Sequence, residues 1–391
     1  MNIRLTKATV FGFPMRGIAR LMILILCLSL YLPYKVTSVF MLAAGGIFLI
    51  MPTVRDKIFT AKSMLTATVF LMLTGIVGVM NGNLLGAVRT LVFAAMLVVA
   101  AVARALMTRR FFERMTDTVI IGGCLSTVQS IIEFVINRKT ENYRCQAFFT
   151  NPNFFGTALC FCVIICAYKV ATHHALPVLY YAAAVFNAIG IYLCGSMSLW
   201  LVILVATLLI LILLGEYKLL IIFASVLAIG ITALLLVPDM IPRLGQLSAT
   251  VDNRIKIWMF AVEQFKTSPI LGRGFFTYKF LYNQLKDVQD IYPAALSHNL
   301  LLDSLLCHGI IGTSIAAFGF WQYYKDVFAV RNALKQLGKG YPIAILIAAI
   351  SVAVALYGLM DTTFVWVQTG SILLLIGSGI GAEEREVRLN S

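Results

Sequence analysis

The sequence predicts an all-α polytopic membrane protein with about 12 transmembrane helices and one long extracytoplasmic loop that contains short helices. Hydrophobic residues make up 60% of the 391 residues, whereas a soluble domain averages roughly 45–50%. Most of them lie in runs of about 20 apolar residues, which is long enough to cross a bilayer as a helix. About sixty residues, 238–298, are instead polar, aromatic and basic, and they separate two groups of spans.

The apolar runs divide the chain into three parts. An N-terminal membrane bundle of about nine spans covers 1–237, the loop with the candidate motifs covers 238–298, and three further spans with a short tail cover 299–391. The first run lacks a small-residue cleavage site and is followed at once by another, so it is predicted to be a span and not a removed signal peptide. The predicted spans are 18–34, 36–53, 63–80, 84–107, 116–136, 153–171, 176–195, 198–215, 218–237, 299–322, 342–360 and 362–381.

Basic residues in the short loops predict the orientation. With 12 spans they fall at one face of the membrane, and an excess of Lys and Arg marks the cytoplasmic face. We therefore expect a multi-pass protein of the cytoplasmic (inner or plasma) membrane, with both termini cytoplasmic and the long loop outside. The net charge of +14 then reflects orientation and not nucleic-acid binding. The residues are Arg4, Lys7, Arg16, Arg55, Lys57, Lys62, Arg109, Arg110, Arg114, Lys325, Arg331, Lys335, Lys339, Arg385 and Arg388.

Basic residues in two outward loops depart from this rule and are candidates for binding an anion outside the membrane. The alternatives are a solvated loop or contact with anionic lipid headgroups. Arg89 lies a few residues below the outer end of the fourth span, where it can either snorkel outward or reach a phosphate. The loop residues are Arg138, Lys139 and Arg144 in one loop and Arg254, Lys256, Arg273, Lys279 and Lys286 in the other.

An amphipathic helix is predicted in the long loop, capped by Asp252 and running from Arg254 to about Lys266. A basic residue in the first turn gains nothing from the helix dipole, which suggests that Arg254 faces an anion. The helix is expected to lie on the membrane surface or to pack on other loop elements. Its apolar face, at spacings of three and four, comprises Ile255, Trp258, Met259, Val262 and Phe265.

Two short segments of the loop carry the remaining candidates. Gly272-Arg273-Gly274 predicts a turn in which the backbone approaches a ligand closely and Arg273 projects into it; the alternative is an exposed turn arginine. Ser297 is predicted to cap the tenth span, so that the helix N-terminus lowers the pKa of His298. A neutral imidazole can then take a proton from a hydroxyl; the alternative is a polar cap residue that happens to be His.

Arginines outside the membrane together with one neutral histidine indicate a particular kind of reaction. Arginines bind a pyrophosphate bidentately and stabilise the charge as it leaves, while a base activates an acceptor hydroxyl. This set suffices for glycosyl transfer from a lipid pyrophosphate without a nucleotide. No Cys or His cluster has zinc spacing, and nothing nearby completes a metal site at Asp287 and Asp290, so no metal or cofactor is expected.

Three segments resemble the O-antigen ligase/polymerase superfamily, membrane glycosyltransferases of the C type. Their order, spacing and common outward side make the resemblance specific, and it covers about Arg144 to Gly312. The family's Arg-x-x-x-Trp…Pro-x-x-Gly-x-Gly segment is similar to Arg254-Ile-Lys-Ile-Trp258 followed by Ser268-Pro269-Ile-Leu-Gly272-Arg273-Gly274. Its His-Asn…Gly-x-x-Gly segment is similar to Ser297-His298-Asn299…Gly309-Ile-Ile-Gly312, and its Asn-Pro-Asn loop to Arg144…Asn151-Pro152-Asn153 with Gly156.

The resemblance implies an enzyme that moves a glycan from undecaprenyl diphosphate to an acceptor hydroxyl on the outer face, with inversion at the anomeric carbon. The family's histidine corresponds to His298, as general base or acceptor positioner, and its loop arginine to Arg254, as a diphosphate ligand. Further diphosphate ligands proposed here are Arg144, Arg89 and Arg273, with Asn153, Trp258, Gly272, Gly274 and Asn299 in support. The expected partners are the lipid-linked glycan donor, a glycan or lipid acceptor and membrane lipids, and no nucleic acid.

One departure from the family concerns the end of the seventh span. Many members have a Ser-Arg pair there whose arginine binds phosphate, whereas this chain reads Gly195-Ser196-Met197-Ser198. Either Arg89, Arg144 or Arg273 replaces that arginine, or the donor site differs.

Two other functions are weighed against the transferase. A transporter or flippase of lipid-linked sugar needs charged groups along a path through the spans, and beyond Arg89, Glu133 and Asp303 there are few. A scaffold of an envelope-glycan complex would use the predicted loop helix as a docking face. The motifs do not separate a ligase from a polymerase, since the two differ only in the acceptor.

Overall fold

The computed structural model describes residues 9–10, 13–50, 62–140, 143–172, 176–236 and 247–390. The predicted cytoplasmic residues Arg4, Lys7, Arg55 and Lys57 lie outside the described residues, and so does the first part of the long loop, 238–246.

The described chain is almost entirely helical. A short antiparallel ribbon pairs Thr9–Val10 (β1) with Phe13–Pro14 (β2), and a 3₁₀ turn covers Thr363–Val365. The α-helices are α1 Met15–Ser29, α2 Tyr34–Ile50, α3 Lys62–Met80, α4 Leu84–Leu106, α5 Arg109–Asn137, α6 Pro152–Ala171, α7 Pro177–Leu193, α8 Ser198–Leu214, α9 Tyr217–Leu236, α10 Leu247–Thr267, α11 Thr277–Leu285, α12 Leu300–Gln336, α13 Pro342–Gly358, α14 Val367–Ser378 and α15 Ile380–Asn390.

Five of these helices, α3, α4, α5, α6 and α12, are long and apolar enough to cross a membrane by length and composition. Shorter apolar helices include α2, α7, α8 and α13. Each predicted span overlaps one of the described helices. The all-helical, multi-span class is therefore confirmed, while the count of 12 crossings remains a prediction.

Helix α6 lies at the centre of the helical bundle. It is apolar nearly all round, and almost all of its residues are buried, as expected for a helix surrounded by other helices. It begins at the Asn-Pro-Asn segment: Pro152 is its first residue, and the Asn151 side chain accepts a hydrogen bond of 2.7 Å from the backbone N–H of Asn153. This cap fixes Asn153 at one end of the bundle core.

Helix α12 is kinked at Gly309, whose backbone has φ 61° and ψ −171°. The kink frees the carbonyl of Cys307, which accepts hydrogen bonds from the backbone N–H groups of Arg273 (3.1 Å) and Gly274 (2.8 Å). A Cβ on Gly272 would lie 2.4 Å from that carbonyl oxygen. The glycines thus permit a close approach to the backbone of α12, while the predicted approach to a ligand remains a prediction.

Helix α10 begins earlier than the helix predicted in the long loop. The chain is already helical at Leu247, so Asp252 lies inside the helix and does not cap it. Arg254 is therefore not in the first turn, and the dipole argument for its anion does not hold.

The buried face of α10 also differs from the predicted one. Ile257, Phe260 and Ala261 form a small core with α11 and with the first turns of α12, while Ile255 and Met259 are exposed. Helix α10 has apolar side chains on two faces, so its periodicity did not specify which one packs. Trp258 lies at the edge of this core, partly buried, and supports the packing of α10.

Candidate active site

The turn that carries His298 is built by α12. Asn299, and not the predicted Ser297, caps the helix, because the Asn299 side chain accepts from the backbone N–H of Leu302 at 3.0 Å. The carboxylate of Asp303 accepts from the backbone N–H of Ser297 at 2.9 Å. Held from both sides, His298 adopts a left-handed backbone conformation with φ 53°, which is uncommon for a residue with a side chain.

His298 is paired with Asp361, a residue from the short loop after α13. The Nδ1 atom of His298 lies 2.9 Å from Oδ1 of Asp361. The Asp361 side chain is 1% exposed, whereas that of His298 is 23% exposed, so the imidazole bridges a buried carboxylate and the surface. The backbone N–H of Thr362 also donates to Asp361, at 2.8 Å.

The pair shifts both pKa values in the directions of an ion pair. Burial disfavours the charged imidazole, but the charge of Asp361 and its hydrogen bond outweigh burial, so the pKa of His298 is raised. Burial likewise opposes the Asp361 carboxylate, and the imidazolium outweighs it, so the pKa of Asp361 is lowered. The prediction that the helix N-terminus lowers the pKa of His298 is therefore wrong, because the carboxylate dominates.

The ionised carboxylate fixes the tautomer of the imidazole. An ionised Asp361 only accepts hydrogen bonds, so the Nδ1–H of His298 must donate to it. In the neutral imidazole the Nε2 atom is then the acceptor, and no hydrogen bond within the described residues engages it. The arrangement therefore presents a base of raised pKa at the surface of the bundle.

Asn153 links this pair to Arg144. The Asn153 side-chain N–H donates to Oδ2 of Asp361 at 2.7 Å, and its Oδ1 accepts from the Arg144 guanidinium at 2.5 Å. Arg144 also donates from Nε to the carbonyl of Cys194 at 2.8 Å. Three of the predicted site residues, His298, Asn153 and Arg144, are thus brought into one hydrogen-bonded chain through Asp361.

The loop that carries Arg144 is folded around the carboxylate of Glu133, which lies near the end of α5. Glu133 accepts from the hydroxyl of Tyr143 at 2.7 Å and from the backbone N–H groups of Gln146 (3.2 Å) and Ala147 (2.8 Å). The hydrogen bond to Glu133, together with burial, raises the pKa of Tyr143 to about 12. Ala147 has φ 50°, a strained conformation that these bonds hold in place.

Arg254 lies beside the same pair. Its guanidinium donates to the Met360 sulfur at 3.6 Å, one residue from Asp361. Its positive charge acts on both members of the pair and lowers the pKa of each. Arg254 and His298 therefore both lie beside Asp361, at one end of the bundle.

The two other predicted arginines have different surroundings. The Arg273 guanidinium donates to the Thr267 hydroxyl at 2.8 Å. Arg89 lies among three aromatic rings, those of Tyr34, Phe276 and Trp366, at 4.9 to 5.3 Å from their centroids. Within the described residues, neither guanidinium is hydrogen-bonded to the His298–Asp361 pair.

Three acidic residues of this site were not predicted as site residues from the sequence. Asp361 pairs with His298 from 63 residues away, and its signal in the sequence is a lone acid in a short loop that is predicted to face outward. Glu133 and Asp303 were noticed only as charges near spans, whereas each holds a loop. No group of three His, Cys, Asp or Glu side chains suited to a metal ion occurs in the described part of the chain.

Residues 182–317 match the family model described as O-antigen ligase. No curated protein matches the chain. The match confirms the resemblance over this stretch and indicates a membrane enzyme of the O-antigen ligase or polymerase type. It includes Arg254, Arg273 and His298, and it leaves out Arg144, Asn153 and Asp361.

Proposed function

We propose that this chain is a membrane glycosyltransferase that moves a glycan from undecaprenyl diphosphate to an acceptor hydroxyl outside the cytoplasmic membrane. The observation that carries the proposal is the His298–Asp361 pair, which has Arg254 on one side and Asn153 with Arg144 on the other. A base with guanidinium groups nearby suits glycosyl transfer from a diphosphate, because arginines bind the diphosphate while the base activates the acceptor hydroxyl.

In the proposed reaction, Nε2 of His298 accepts the proton of the acceptor hydroxyl. The hydroxyl oxygen attacks the anomeric carbon as the bond from that carbon to the diphosphate oxygen breaks, so the product is inverted. Asp361 keeps the Nδ1–H oriented and stabilises the imidazolium that forms. The two electrons of the broken bond remain on the diphosphate, whose charge the arginines stabilise.

Arg254 and Arg144 are the proposed diphosphate ligands closest to the base. Arg144 is also a candidate to replace the arginine that the family has where this chain has Met197. Its Nε donates to the carbonyl of Cys194, three residues before Met197. It is therefore suited to supply the positive charge that this turn lacks. Arg89 and Arg273 remain candidates for a more distant part of the donor site.

The transporter hypothesis gains no support from two of the three charged residues on which it depended, Glu133 and Asp303. Glu133 is engaged by the loop 143–147, and Asp303 by the turn at Ser297. Both act locally, at the end of the bundle where His298 lies, and neither extends a polar path through it.

The test is the extracellular glycan of a deletion strain complemented with wild type, His298→Ala, Arg254→Ala or the control Gln289→Ala, which changes an exposed residue of the same loop. Membrane abundance of each variant is measured in parallel. The two site variants are expected to be present while the glycan stays short or remains on its lipid carrier, and the control is expected to restore it.

The length of the stalled glycan separates the two acceptors. A single lipid-linked repeat identifies a polymerase, and a full-length chain on the carrier identifies a ligase. Normal glycan in both site variants at normal abundance overturns the transferase proposal.

A further inference from the structure

The length of helix α3 allows the depth of neighbouring residues in the membrane to be estimated. Its 19 residues span about 28 Å, close to the thickness of roughly 30 Å of the hydrocarbon core. It packs along α12: the Thr74 hydroxyl lies 3.3 Å from Nδ1 of His308, and the Thr66 hydroxyl donates to Gln322 at 2.9 Å. Thr74 is six residues from Met80, so His308 lies about 9 Å below the end of α3 on the His298 side.

The segment 268–274, between α10 and α11, reaches this depth. The backbone N–H of Ile310 donates to the carbonyl of Pro269 at 2.8 Å, and that of Ile311 to Ile270 at 3.1 Å. On the other side, a Cβ on Gly274 would lie 2.8 Å from the Cα of Gly78 in α3. The segment is therefore inserted beside the kink of α12 and is not confined to the surface.

In this segment the backbone N–H groups of residues 272–274 and the carbonyls of residues 268–270 are paired within the protein, which is what hydrocarbon requires of backbone polar groups. Gly272 donates to the carbonyl of Ser268 at 3.1 Å, and the next two N–H groups donate to Cys307. The kink at Gly309 makes these bonds possible because it leaves carbonyl and N–H groups of α12 without helical partners.

The side chains of the segment are apolar where they are exposed. Ile270 is 60% exposed, and it forms one patch with the exposed Leu271, Ile310 and Ile311, here called the isoleucine patch. Met72, on α3 at a similar depth, is also exposed, at 63%. The guanidinium of Arg273 does not stay at the depth of the patch. It extends to Thr267 in the last turn of α10, as a snorkelling arginine does.

We propose that residues 268–274 re-enter the membrane and that acyl chains of the lipid leaflet on the His298 side cover the isoleucine patch. This insertion anchors the C-terminal end of α10 at the membrane surface, and with it the helix that carries Arg254. The proposal concerns the position of the segment only and is independent of the proposed function.

Spin labels test the depth directly. Ile270→Cys is labelled with a nitroxide in phospholipid vesicles, and collisions with oxygen, which partitions into lipid, are compared with collisions with a water-soluble nickel chelate. Met72→Cys is the reference for lipid, and Val288→Cys, 76% exposed among charged neighbours, is the reference for water. Unsubstituted protein gives the background, since seven of the eight native cysteines are buried and Cys124 is partly buried.

The oxygen-to-nickel collision ratio at residue 270 is expected to match that at residue 72 and to exceed that at residue 288 several-fold. A ratio equal to that at residue 288 overturns the proposal, because the segment then lies in water. Exclusion of both reagents from residue 270 also overturns it, because a protein surface, such as a second copy of the chain, then covers the patch.

Discussion

Asp361 determines what His298 can do. A histidine at a helix start would be a weak base with a mobile ring, whereas the carboxylate orients this ring and favours its protonation. If the neutral imidazole is the base, transfer should increase as the pH rises through the raised pKa of His298. The position of the acid limb of the pH–rate profile therefore reports the pKa of His298 in its pair with Asp361.

Asp361→Asn should move this acid limb to lower pH. The substitution removes the negative charge that raises the pKa of His298, while burial and Arg254 continue to lower it. The rate above the limb should fall by up to about 10²-fold, because a general base contributes roughly 10²–10⁴ and a weaker, less firmly oriented base loses part of that. The measurement is transfer rate against pH in vesicles.

Asp290→Asn is the control for this change, since Asp290 is an exposed acid of the same loop. An acid limb at the same pH in wild type and Asp361→Asn would show that the pair does not set the pKa of the base.

At the scale of residues, the sequence predicted the groups that carry unusual charge for their place in the chain. Arg144, Arg254 and His298 were proposed because basic residues in loops predicted to face outward, and a histidine at the start of a predicted span, stand out from the sequence around them. Asp361 was missed because its contact with His298 depends on how α13 packs beside α12, and a hydropathy pattern does not show which helices pack together.

Among the structural elements, the loop 143–147 is the one that positions Arg144. Glu133→Gln should loosen it, because an amide has one acceptor oxygen where the carboxylate uses both, and because the substitution removes the negative charge that strengthens these bonds. A loss of about 1.4 kcal/mol corresponds to a tenfold change, and hydrogen bonds to charged groups contribute roughly 1.5–3 kcal/mol each. Transfer should therefore fall about tenfold or more at unchanged membrane abundance.

The control for Glu133→Gln is Glu263→Gln, which changes an exposed carboxylate on α10. Equal transfer rates in Glu133→Gln, Glu263→Gln and wild type would contradict the positioning role of Glu133.

The kink of α12 yields a prediction on stability. Gly309→Ala should lower the Tm of the protein in detergent, because a Cβ there would lie 2.4 Å from the backbone of Ile270 and the residue has φ 61°. A left-handed conformation alone costs about 1–3 kcal/mol for a residue with a side chain. Gly46→Ala is the control, since nothing lies within 4 Å of its added Cβ; a similar Tm in both variants would contradict the account of the kink.

At the scale of elements, the sequence predicted where helices lie better than how they begin and pack. The long loop does contain a helix through Arg254, but the preceding residues extend it, so Asp252 is not its cap. Ser297 and Asn299 are both good caps, and the choice between them depended on the Asp303 carboxylate, which takes the N–H of Ser297.

Across the whole molecule, the site forms where three distant parts of the chain meet at one end of the bundle. The start of α6 brings Asn153, the start of α12 brings His298, and the loop after α13 brings Asp361. The apolar runs predicted these helices one by one, since each must be long and apolar to cross a membrane. Their arrangement, and hence the pairing of the site residues, depends on contacts between helices that periodicity does not encode.

The most direct measurement is the transfer rate of purified protein in vesicles, with the lipid-linked glycan that is expected to accumulate in the deletion strain as donor. His298→Ala should bind this donor as wild type does and transfer it about 10²–10⁴-fold more slowly, because the substitution removes the base and leaves Arg254 and Arg144 in place. Transfer by His298→Ala at the wild-type rate would contradict the assignment of the base and, with it, the function proposed for this site.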